Sequence, residues 1–75
     1  MDKVQEFQKL EAEWQLAKAA TTEAQLAVDL KMNAFLAGVG QAPTHKEMLR
    51  VDDLRHVECE KRGALDDFIS EWAEQ

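Results

Sequence analysis

From Asp2 to about Ala37 the apolar positions recur at alternating spacings of three and four. One series is Phe7, Trp14, Thr21, Val28 and Phe35, and the interleaved series is Leu10, Ala17 and Ala24, with Lys31 interrupting it. That is the period of a packed helical seam, as in a coiled coil. The segment holds no proline or glycine and is rich in Ala, Leu, Glu, Gln and Lys, which favour helix. The pattern predicts one long helix over about 3–37. Its second half is apolar beyond the needs of one seam: Leu16, Ala20, Leu26, Ala27 and Leu30 lie elsewhere on the cylinder. A helix apolar over so much of its circumference is buried on more than one side, so these five residues are the candidate oligomer interface.

The run Ala37-Gly38-Val39-Gly40-Gln41-Ala42-Pro43-Thr44 ends this pattern. Glycine just past a helix accepts the left-handed conformation that stops it. Pro43 biases Ala42 away from helix and offers no donor. Thr44 and Glu47 then have the spacing of a capping box, which predicts a new helix start. The second helix is expected over about 45–73, with Met48, Val51, Leu54, Ala64, Leu65, Phe68, Ile69 and Trp72 on its apolar face. Gly63, inside it, marks an expected weak point, kink or close crossing.

A connection this short makes the helices antiparallel neighbours. With the turn centred near residue 40, residue 81 − i stands opposite residue i. The expected hairpin core is Phe7, Leu10, Trp14, Val28 and Phe35 against Val51, Leu54, Leu65, Phe68 and Trp72. In the middle, Ala17, Ala20, Thr21 and Ala24 face Glu58 and Lys61, which are spaced to pair with each other. Lys3 and Lys9 are expected alongside Glu71 and Glu74, offsetting acids at the unfavourable end of a helix dipole.

Length sharpens the oligomer reading. Seventy-five residues make a single domain, 1–75, and a chain this short hides only roughly 60% of its unfolded surface. Small scaffolds add disulfides, a metal or association. Cys59 is the only cysteine, so no internal disulfide forms, and a lone thiol suits a reducing compartment. The N-terminal residues have no basic-then-apolar signal pattern, and no apolar run is long enough for a membrane span. The expected location is cytoplasmic, with no membrane partner. A net charge of −6 argues against binding nucleic acid, whose phosphates need a basic footprint.

Candidate chemistry is sparse. Asp52, Asp53, His56 and Cys59 have helical spacings that metal ligands use, and Glu23 and Glu58 approach from the two helices. Yet Leu54 holds the inward position while His56 falls beside the seam. His45 is a cap-adjacent surface histidine without a nameable nucleophile or acid. Glu58 and Glu60 disfavour a thiolate at Cys59. The glycines near residue 40 do not follow a strand and form no phosphate-binding fingerprint. No catalytic residue, metal or cofactor is therefore assigned, and the chain is not expected to be an enzyme.

The layout resembles that of small bacterial helical hairpins such as secretion co-chaperones. The resemblance extends to layout alone; the Trp-x-Gly turn of one small secreted group is absent, Gly38-Val39-Gly40 standing there. The leading expectation is an all-α hairpin that pairs with itself into a four-helix bundle and serves as a protein–protein interaction module. The alternatives are an adaptor or co-chaperone that lends the same stripe to a helix of another protein, and an acidic inhibitor that mimics nucleic acid.

Overall fold

A computed structural model describes residues 2–73 of the chain. Two helices, α1 (Lys3–Leu36) and α2 (His45–Ala73), pack against each other and account for nearly all of it. The start of α1 is fixed by Asp2, whose carboxylate accepts from the Val4 amide at 3.0 Å. This satisfies one of the unpaired donors of the first turn. The sequence pattern placed the helix here without identifying that cap.

The end of α1 is a full Schellman motif. Gly38 has φ +80°, its amide donates to Phe35 O at 3.0 Å, and the Val39 amide donates to Ala34 O at 2.9 Å. Ala37 is the cap residue, so the helix ends at Leu36, one position inside the expected boundary. The start of α2 is the anticipated capping box. The Glu47 amide donates to Thr44 Oγ1 at 3.1 Å, and the Thr44 amide donates to Glu47 Oε1 at 3.1 Å.

The register differs from the expected one. A turn centred at residue 40 sets residue 50 opposite Lys31, yet Glu47 bonds to Lys31, while at the open end Phe7 packs on Phe68, as expected of the aromatic cluster there. The cause lies in the connection. The Schellman motif reverses the chain at once, and Gly40 then lies against Ala34, so close that an added Cβ would sit 3.0 Å from the Ala34 methyl. The linker thus runs back over the last turn of α1, with Pro43 buried, before α2 begins.

This shift corrects two core assignments. Phe35 and Trp72 are exposed. Phe35 projects past the start of α2, and Trp72 reaches the very beginning of α1, so neither has a full turn of partner helix over it. Of the other expected core residues, Val51 and Leu65 are fully buried, while Phe7, Leu10, Trp14, Val28, Leu54 and Phe68 are half-buried. Thr21 is buried at the seam, its hydroxyl donating to Ala17 O at 3.1 Å, so the burial strands no polar group.

Two expected ion pairs also change. Lys61 reaches across to Glu13 at 3.7 Å instead of pairing with Glu58. Lys3 pairs with Glu6 at 3.3 Å and lies 4.7 Å over the Trp72 ring; neither Lys3 nor Lys9 pairs with Glu71. Glu74, the other acid expected there, lies outside the described residues. Gly63 causes neither a break nor a close crossing: α2 runs through it, and an added Cβ would meet nothing within 4 Å.

Candidate interaction face

Each face of the hairpin follows from the helical period. The seam of α1 toward α2 carries Phe7, Leu10, Trp14, Ala17, Thr21, Ala24 and Val28. At its open end Phe7, Phe68 and Trp72 stack in sequence, with ring centroids 6.4 and 6.3 Å apart in tilted arrangement. Trp14 stands one step inward, with Arg62 at 4.7 Å and Lys18 at 5.2 Å from its ring. Both are cation–π distances, and Arg62 is itself held by Asp66 at 3.0 Å.

A second stripe runs along the other side of α1. Leu16, Leu26 and Leu30 are 73%, 57% and 62% exposed. With Ala12, Ala19 and Glu23 they again follow the alternating four-and-three spacing of a heptad seam. Ala20 and Ala27 widen this stripe toward one edge of the hairpin, where they share a shallow groove with Glu23, Ala24 and Arg50 of α2. Every residue of the expected oligomer interface is on this stripe, and all but the half-buried Ala20 are exposed. The mixed pattern of α1 is thus two seams: one used within the hairpin and one left open.

The opposite edge is polar. Arg55 Nη2 donates to Gln25 Oε1 at 3.0 Å, and Gln25 Nε2 donates to Asp29 Oδ1 at 3.0 Å. These residues line a groove with Thr21, Thr22 and Glu58. The two edges therefore offer different surfaces, one of alanines with Glu23 and Arg50, the other of a hydrogen-bonded relay bordered by Leu26.

At the turn end, Glu47 carries the most concentrated electrostatics. Its carboxylate accepts from Lys31 Nζ at 2.8 Å, and from the Thr44 amide and hydroxyl at 3.1 and 3.0 Å. Lys31 foremost, then Thr44, lowers the Glu47 pKa from its ordinary value to about 2. The seam interruption at Lys31 is thereby explained: the lysine ties α1 to the cap of α2. The sequence register set Lys31 opposite residue 50, so the interrupted seam was the only signal at this position and the clasp itself was missed.

The residues with metal-ligand spacing are dispersed. His56 Nε2 is 3.2 Å from Glu60 Oε1, Asp52 is 4.0 Å from Arg55, and Cys59 is an exposed free thiol. No group of three His, Cys, Asp or Glu side chains converges among the described residues. No helix among those residues is long and apolar enough to cross a membrane. No protein-family model, curated protein or solved structure matches the chain.

Proposed function

We propose that the chain is a non-enzymatic protein–protein interaction module that acts as a homodimer, two hairpins closing into a four-helix bundle in the cytoplasm. The observation that carries this reading is the excess of surface. The hairpin is a rod of 57 × 16 × 16 Å. It exposes 5808 Å² at 8.5 kDa, where a compact monomer of that mass exposes roughly 4,700 Å². The difference, roughly 1,100 Å², is of the order that a stable complex hides on each partner, about 800 Å². Among the described residues only Val51 and Leu65 form a fully buried apolar core, while the leucines of the second stripe stay in water. Covering that stripe is the physical route by which so thin a rod gains a core of ordinary size.

The same stripe, with anchors one helical turn apart, fits a helix of another protein, which is the adaptor reading. The acidic-inhibitor reading has less support. Glu13, Glu47 and Asp66 are each paired within the chain with Lys61, Lys31 and Arg62, which leaves fewer acids free for a basic target.

Sedimentation equilibrium at micromolar concentration tests the proposal. The dimer reading expects twice the chain mass of 8.5 kDa; a clean monomer sinks it. Salt separates the readings further. Two chains of charge −6 repel, so added salt strengthens self-association, whereas binding of an acidic inhibitor to a basic target weakens.

A further inference from the structure

Resting on that homodimer reading, we infer that the two copies meet through α1 against α1 in antiparallel orientation, with the twofold axis beside residue 21. The open stripe of α1 supplies the argument because it is complementary to its own reverse. Antiparallel seams set each position of one heptad series against the other series of the partner. Only registers one heptad apart satisfy this. With the axis beside residue 21, Leu16 meets Leu26 of the second copy, Leu30 meets Ala12, and Glu23 meets Ala19. Large apolar side chains then face apolar ones, and the single charge in the stripe faces the smallest neighbour.

The neighbouring registers lose this match. Shifted one heptad in one direction, Leu16 faces Asn33 and Glu23 faces Leu26; in the other, Leu26 faces Lys9. Parallel pairing sets Glu23 against its own copy, two like charges within a drying interface. The antiparallel arrangement instead lays each carboxylate over an alanine methyl. It leaves room for the carboxylate to reach the edge groove, where Arg50 stands on the same side as Glu23 and Ala20. It also opposes the two helix dipoles, which is the favourable alignment. Because Ala20 and Ala27 extend the stripe toward that edge, the contact draws each α2 alongside the other copy, as a bundle requires.

Single-cysteine crosslinking in a Cys59→Ser background tests the arrangement, with sedimentation run on the same samples and circular dichroism confirming the helices. Ala20→Cys places two thiols next to the axis, and oxidation is expected to convert most of the chain to a covalent dimer. Ala12→Cys places them about 27 Å apart, from nine residues either side of the axis at about 1.5 Å each, and no crosslink is expected. Adding Leu30→Cys to Ala12→Cys restores crosslinking. A dimer that crosslinks at Ala12→Cys alone, or that fails to crosslink at Ala20→Cys, overturns the antiparallel arrangement while leaving the homodimer standing. A monomer in sedimentation overturns both.

Discussion

Lys31 of the first helix and Glu47 of the second are joined by a contact of 2.7 Å between Nζ and Oε2. Glu47 simultaneously closes the capping box with Thr44. One carboxylate thus starts α2 and fastens it to α1. Its pKa, lowered to about 2 chiefly by the Lys31 hydrogen bond, makes the contact pH-dependent with a definite sign. The folded state holds the ionised form more strongly than the unfolded state does. The stabilisation is complete above the ordinary value of 4.5 and is lost as pH falls through about 2. Glu47→Gln is expected to melt below the wild-type chain at pH 7, with the gap closing between pH 4.5 and 2. A carboxyl-carbon NMR titration of Glu47 with a midpoint at its ordinary value removes the explanation. Thr44→Ala, which removes the cap itself, is expected to cost about 1 kcal/mol.

The three glycines make opposite predictions for one substitution. Gly38 stands at φ +80°, where a side chain costs about 1 kcal/mol, so Gly38→Ala lowers the melting temperature by about 4–8 °C. Gly63 is an exposed helical position with open space around it. There, alanine gains about 0.5–1 kcal/mol by restricting the unfolded chain, and Gly63→Ala melts higher. Gly40→Ala must displace the linker from Ala34, 3.0 Å from the added Cβ, and is expected to destabilise. Thermal melts of the three variants check the signs together.

Burial divides the leucines into two kinds. Leu65 is 2% exposed, and Leu65→Ala leaves a cavity that costs about 2–5 kcal/mol. Marginal stability of roughly 0.05–0.15 kcal/mol per residue makes that a large part of the total, so the variant melts far lower at every concentration. Leu26 is 57% exposed in the hairpin. Leu26→Ala leaves the melting temperature of dilute protein nearly unchanged. It removes the rise with protein concentration that self-association produces. Melts at several concentrations distinguish the two behaviours.

Glu23 is the charge at the centre of the open stripe. Glu23→Leu fills that position with apolar surface and is expected to tighten self-association by at least tenfold, as one buried leucine supplies more than 1.4 kcal/mol. Weaker association of a folded Glu23→Leu chain in sedimentation shows that the stripe is not the interface.

Both helices, the capping box at Thr44 and the stop at Gly38 were legible because each rests on local chemistry: period, hydroxyl and carboxylate spacing, and freedom at positive φ. The register was not. It depends on where the linker goes after Gly38, and the contact of Gly40 with Ala34 that sends it back along α1 is tertiary. Phe35 and Trp72 read as core for the same reason, since periodicity reports a helix face and not how far the partner reaches. The partners of Lys61 and Lys3 were missed because long side chains choose among several acids within range. The apolar width of α1 was visible, but its resolution into an inner and an outer seam needed the placement of α2.

Whether the hairpin pairs with itself is decided by sedimentation equilibrium of the untagged chain across the micromolar range. A reversible dimer of twice the 8.5 kDa chain mass is expected, strengthened by salt. A single ideal species of the chain mass throughout that range would contradict it.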